Sequence, residues 1–214
     1  MAGKRKVANL TALAVLSVLG QRPMHPYEMA NAMRGWGKDR DMRVKWGSLY
    51  SVVASMEKHG LIEAAGTSRE GNRPERTVYR ITDDGWAEMT DWARELLAAP
   101  DGDQARFRAG LSVMSVLPPD EVAGLLRTRV AALEERREAL NEALTEHGRD
   151  VPRLFLAEGE HELATLDADL AWTRALLAEL DSGAHPSLEA WREFHATGAM
   201  SKDLAERRLD GPEP

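Results

Sequence analysis

Apolar residues recur at helical spacing from Leu10 onward, through Leu13, Ala14, Leu16 and Leu19, with Asn9 ahead of them as an N-cap and Gly20 as a stop. A second helix starts at Pro26, where a first-turn proline is tolerated. It carries Tyr27, Met29, Ala30 and Met33 and ends near Gly35 or Gly37. A charged loop through Lys38, Arg40, Asp41 and Arg43 leads to a third helix over residues 48–60, stopped by Gly60. In that helix Leu49, Val53 and Met56 fall on one face, and Ser48, Ser51, Ser55 and Lys58 on the other. Residues 61–65 and 77–81 are short β-prone runs around a long basic tip, residues 66–76. Thr82 then caps a fourth helix with Asp83 and Asp84 in its first turn, where negative charge suits the helix dipole. Its apolar stripe is Trp86, Met89, Ala93 and Leu96 or Leu97, and residues 100–103 form a linker.

Beyond the linker the pattern is all helical. Residues 107–117 form a short apolar helix that ends at Pro118-Pro119. Asp120 and Glu121 open a long one with Val122, Leu126, Val130, Leu133, Leu140 and Leu144. Leu163, Leu166, Leu170, Leu177 and Leu180 mark another, closed by Gly183 and Pro186, and a shorter helix surrounds Leu188, Trp191 and Phe194. The expected architecture is mainly α: a winged helix-turn-helix of three helices and a two-stranded wing in residues 1–99, then an all-helical dimerisation and effector domain in residues 104–197. Residues 198–214 are expected to be a frayed tail.

Composition changes the picture in two places. A hydrophobic content of 43% suits an ordinary core, and the absence of cysteine excludes disulfides, thiolate metal sites and cysteine nucleophiles. The net charge of −7 alone argues against a polyanionic partner. Its distribution argues the other way: residues 1–80 hold 14 Lys plus Arg against 7 Asp plus Glu, whereas residues 81–214 hold 14 against 28. A basic end on an acidic chain is the asymmetry of a two-part nucleic-acid binder. The longest apolar run, residues 10–19, is interrupted by Thr11 and Ser17 and is about half of the ~20 residues a membrane span needs. Lys4, Arg5 and Lys6 imitate the start of a signal peptide, but the pattern runs on into Gln21-Arg22-Pro23 without a small-residue cleavage site, so the expected location is the cytoplasm.

Helix, helix, helix and wing assign the DNA-contact candidates. Recognition helices lead with their N-terminal end, which selects Lys45, Ser48, Tyr50 and Ser51 for the major groove. Arg69, Arg73 and Arg76 on the wing, with Lys4, Arg5 and Lys6, are assigned to the phosphate backbone. A single loop arginine is more often a solvated charge; the group together with the charge asymmetry outweighs that reading.

These residues resemble the PadR-like family of transcriptional regulators. The resemblance runs from about Leu10 to Leu97 and rests on MHPYEMANAM, on GSLYSVVASMEKHGLIEA and on RPERTVYRITDDGWAEM. These stretches are similar to the family's His-Gly-Tyr-Glu, its Leu-Tyr before Leu-Glu-Gly-Leu, and its Tyr-Arg-Ile-Thr-x-x-Gly. Pro26 stands where the family often has glycine, and Met56 where leucine is usual. Residues 104–195 are similar in layout to the helical extension of longer members, with Trp172 late in the second long helix. The resemblance implies a homodimer, commonly a repressor, that is paired by its C-terminal helices and responsive to a small molecule; high Ala, Arg, Glu and Leu usage points to a GC-rich bacterial source. Two-fold symmetry then requires an inverted-repeat operator with half-sites about 34–36 Å apart, or a multiple of that.

Sharper chemistry finds little support in the sequence. Six tryptophans, at 36, 46, 86, 92, 172 and 191, are more often core or dimer contacts than a ligand platform; Trp92 and Trp172 are the candidates for stacking an aromatic effector. Glu158 and His161 make one Glu-x-x-His step, whereas a carboxylate-bridged metal pair needs two, so no metal or other cofactor is expected. His25 beside Pro26 reads as a capping or packing group. No serine elbow, phosphate loop or H-E-x-x-H step occurs, so no enzyme activity is expected. The competing reading is a winged-helix adaptor that docks proteins without reading DNA.

Overall fold

Asn9 accepts from the backbone N–H of Ala12 at 3.0 Å and so starts α1 (Leu10–Leu19). Residues Thr11 to Leu19 are all buried, as expected of a helix that is apolar on every side and therefore central to its core. The computed structural model describes residues 5, 7–68, 76–100 and 104–198, with backbone alone at 40, 41, 67, 68 and 76. The order of elements after α1 is α2 (Pro26–Gly35), α3 (Lys38–Asp41), α4 (Leu49–Lys58), β1 (Ile62–Ser68), β2 (Arg76–Ile81), α5 (Asp83–Ala98), α6 (Gln104–Val113), α7 (Pro119–His147), α8 (Ala157–Ser182) and α9 (Leu188–Thr197). A winged helix followed by helices is the architecture expected from the sequence.

Contacts divide the chain into two compact units. Among the described residues, the first holds those up to 96 and those of 104–116, and the second holds 97–100 and 117–198. In the first unit α1, α2 and α4 pack around Leu13, Leu16, Met29, Met33, Val53 and Met56, each 2% exposed or less. Four methionines, Met24, Met29, Met33 and Met56, fill the irregular gaps between these short helices, a role the flexible thioether suits. The stretch expected to be a plain loop contains the single turn α3. Its Lys38 is buried, and its ammonium donates to the backbone carbonyl of Ser112 at 2.7 Å, which joins α3 to α6.

The wing strands are antiparallel, with Ile62 opposite Ile81 and a bulge between Ala64 and Gly66. Both extend further toward the tip than the β-prone runs suggested. A third piece of backbone joins them: Met24 and Tyr79 exchange two hydrogen bonds of 3.0 Å, so the α1–α2 connector pairs with the outer side of β2. Thr82 caps α5 by accepting from Gly85 N–H at 3.0 Å, while its hydroxyl donates to the carbonyl of Gly60 at 2.6 Å. The buried stripe of α5 is Met89, Trp92, Ala93, Leu96 and Leu97. Trp86, expected in that stripe, is instead 38% exposed and lies against Gly20.

The second unit is built on α7 and α8, which lie antiparallel. Its ion pairs run up one helix as they run down the other: Arg127 with Asp181, Glu134 with Arg174, Arg137 with Asp167, and Arg136 with Glu162. All of these are half-exposed, so each adds little stability, about 0–1 kcal/mol, but together they favour one register. Leu133, Leu166 and Leu170 form the seam, with Val130 and Leu140 against it. At its base the Trp191 indole of α9 donates to the carbonyl of Leu117 at 2.9 Å. The buried Arg129 guanidinium donates to the carbonyl of Ala99 at 3.0 Å.

Candidate nucleic-acid interface

The lead into α4 is a shaped segment rather than a loop. Arg43 adopts φ of 47°, a left-handed conformation that costs a residue with a Cβ roughly 1–2 kcal/mol, and Val44 N–H closes the turn onto the carbonyl of Asp39 at 3.0 Å. Lys45 is exposed, and its backbone N–H reaches the buried Thr11 hydroxyl of α1 at 3.4 Å. A 3-10 turn, Trp46–Ser48, then runs directly into α4.

Ser48 and Ser51, both assigned to the groove from the sequence, use their hydroxyl protons locally. Ser48 donates to the carbonyl of Lys45 at 2.9 Å, and Ser51 to that of Ser48 at 2.8 Å. Their oxygens keep free lone pairs, so each is better placed to accept than to donate. Tyr50 stands 63% exposed. The outward stripe of α4 is Tyr50, Ser51, Ala54, Glu57 and Lys58, with Ser55 half-buried. It is therefore rotated from the face expected through Ser48 and Ser55, because Val52 joins Leu49, Val53 and Met56 in the core. On α2 the aromatic Tyr27 is also exposed, at 56%.

His25 caps α2. Its Nδ1 accepts from Tyr27 N–H at 3.1 Å, which requires the proton of a neutral ring to sit on Nε2, while Glu28 accepts from His25 N–H at 2.9 Å. That backbone donor, and then Arg22, hold the Glu28 carboxyl below the usual carboxylate range against a smaller opposing effect of burial.

The cations of the first unit fall into two groups. Arg5 lies over Trp92, 5.0 Å from the ring centroid, and binds Glu88 at 2.5 Å and Glu95 at 2.7 Å. Burial opposes its charge, and the two carboxylates more than offset that, so its pKa is raised. Arg5 is thus committed to α5, a correction to its assignment to DNA phosphates. Arg22 and Arg80 are paired with Glu28 and Glu63. Arg34 has no carboxylate within salt-bridge distance among the described residues; its guanidinium stacks on the Trp46 ring, 4.2 Å from the centroid. Sequence reading missed this pair, because twelve positions separate the two residues and neither helical nor strand spacing joins them. The wing residues Arg69 and Arg73, with Lys4 and Lys6, lie outside the described residues, as does the side chain of Arg76.

Of the two tryptophans proposed for an effector, Trp92 is 1% exposed and fills the core, while Trp172 is 49% exposed on α8. A cavity of about 210 Å³ opens elsewhere in the second unit, lined by Ala123, Arg127, Leu180, Asp181, Leu188 and Arg192. No group of three or more metal-ligating side chains occurs among the described residues, and no described helix is long and apolar enough to cross a membrane.

Three helices with a paired wing define the first unit as a winged helix-turn-helix. Residues 15–91 match the model of the transcriptional regulator PadR-like family. Among solved structures, Bacillus subtilis PadR in complex with operator DNA is 17% identical, with 79% of this chain and 98% of that one covered and a TM-score of 0.38. The smu.1604c protein of Streptococcus mutans UA159 is 20% identical, covering 78% and 98%, with a TM-score of 0.36. Bacillus subtilis PadR in complex with p-coumaric acid is 16% identical, covering 81% and 99%, also at 0.36. No curated protein sequence matches the chain.

Proposed function

We infer that the chain is a sequence-reading DNA-binding regulator of transcription, a cytoplasmic homodimer that represses its target and is released by a small molecule. The observation that carries the DNA-reading part is the outward stripe of α4, where Tyr50, Ser51 and Ala54 stand exposed behind Lys45, itself exposed and without a carboxylate partner among the described residues. Small side chains let a helix enter the major groove, and a cation at its leading end meets the phosphates beside it. Residues 1–99 read DNA in this proposal, with Arg69, Arg73 and Arg76 of the wing on the backbone.

The helices of the second unit pair two copies. Every buried residue of α7 lies at or before Leu133, while Leu140 and Leu144 beyond it are half-exposed and Leu154 and Phe155 after the helix are 79% and 64% exposed. Apolar surface of that kind favours a second copy. A two-fold dimer reads an inverted repeat. The small molecule belongs to the same helices, and Trp172 is the aromatic surface there that an aromatic effector stacks on.

The test is fluorescence anisotropy of the purified protein on duplex DNA from upstream of its own gene, at two salt concentrations and with a scrambled competitor. Salt-sensitive binding that resists the competitor is expected. Equal displacement by both duplexes removes sequence reading, and no binding at low salt points to a protein-docking winged helix.

A further inference from the structure

We propose that Arg34, stacked on Trp46, is a DNA phosphate ligand that works with Arg43 and Lys45 as one basic clamp at the leading end of α4. The proposal rests on the DNA-binding reading above and adds to it a residue from a different helix.

Three observations carry it. First, Arg34 is exposed and lies in the last turn of α2, the helix that in this motif crosses the DNA backbone beside the recognition helix. Its guanidinium meets the Trp46 ring and, at a long 3.4 Å, the Asn31 side-chain oxygen, so its outer N–H groups face solvent. Second, the stack holds the guanidinium plane in place. A flexible cation loses rotamer freedom when it binds a phosphate, and a side chain already laid on an indole has lost most of it. Third, Trp46 belongs to the segment it steadies: Arg43 and Lys45 flank it in the chain, both exposed and neither paired with a carboxylate among the described residues. Elsewhere in the first unit Arg5, Arg22, Arg80, Arg94 and Arg106 are each held by a carboxylate. Of the other exposed cations there without a carboxylate among the described residues, Lys58 lies at the opposite end of α4 and Arg108 on α6, so the three at the lead into α4 are the ones that stand together.

A purely structural role is the competing account, since a cation in the last turn of a helix also suits its dipole. Binding measurements on a fluorescein-labelled mixed-sequence duplex, titrated across salt concentrations, separate the two. Arg34→Gln is expected to weaken binding at least about tenfold at low salt, as removal of one charged hydrogen bond would, and to reduce the salt slope by about 0.9. Arg34→Lys keeps the charge, so its slope stays at the wild-type value while its affinity falls. Trp46→Leu likewise weakens binding without changing the slope. An Arg34→Gln protein that binds the duplex with wild-type affinity and slope overturns the proposal while leaving DNA binding intact. Equal weakening in the Gln and Lys variants, matched by equal drops in melting temperature, assigns Arg34 to structure and overturns it too. A wild-type protein that binds no duplex at low salt overturns the DNA-binding reading and this inference together.

Discussion

Gly85, in the first turn of α5, sits so close to Leu61 that a Cβ built on it would lie 2.1 Å from the Leu61 carbonyl oxygen and 2.8 Å from Cγ1 of Ile81. Backbone cannot yield as a flexible side chain can, so α5 meets the start of the wing only with glycine at this position. The glycine of the Tyr-Arg-Ile-Thr-x-x-Gly pattern is thereby explained by packing.

Gly85→Ala therefore destabilises the protein although alanine is the better helix former. Helix propensity favours the alanine by up to about 1 kcal/mol, while overpacking costs about 1–3 kcal/mol or more. Urea unfolding is expected to show a lower midpoint; a raised one would mean that α5 shifts freely away from Leu61.

Trp191→Phe keeps most of the buried ring but removes the donor to the Leu117 carbonyl. An unsatisfied buried acceptor costs about 1–3 kcal/mol. The destabilisation is expected in the unfolding of the second unit, followed by far-UV circular dichroism, and unchanged stability would show that water replaces the indole.

Glu28 makes a pH-dependent contribution. Its folded pKa lies below the ordinary 4.5, so its stabilisation is complete above that value and is lost as the pH falls through the lowered one. Glu28→Ala is expected to lower Tm at neutral pH, and the gap to wild type to close in acid. A gap that persists unchanged at pH well below 4.5 would assign the effect to something other than the carboxylate.

Tyr50→Ala separates binding from folding. Because the ring is 63% exposed, its removal is expected to leave Tm within a degree or two and to weaken duplex binding. Arg73→Ala with Arg76→Ala is expected to weaken binding to all sequences and to lower the salt slope by about 0.9 for each phosphate no longer neutralised. Unchanged affinity in both proteins would empty the proposed interface of α4 and wing alike.

Assembly is checked by light scattering at micromolar concentration, where a dimer is expected. Replacing Leu140 and Leu144 by Glu is expected to yield monomers that keep their helical signal, since both leucines are only half-buried in a single chain. Dimers that survive this change would move the interface elsewhere on the second unit.

Apart from the single turn α3, the helices, the wing strands and their order were legible in the linear chain. Asn9, Pro26, Gly60 and Thr82 act through neighbours a few residues away, and the spacing of Leu49, Val53 and Met56 needs only the 3.6-residue period to declare a helix face. The basic first eighty residues, and the motifs that resemble PadR-like regulators, are likewise visible in the linear chain. Tertiary structure decided what depends on contacts between distant residues. Arg5, basic in the sequence, is neutralised by Glu88 and Glu95; Arg34 finds Trp46; Lys38 reaches Ser112 and draws α6 onto the first unit. The burial of Val52 rotates the outward stripe of α4 toward Tyr50 and Ala54, and Trp92 rather than Trp86 enters the core. A period says which residues share a face, but only packing says which face is covered and which charges remain open to a partner.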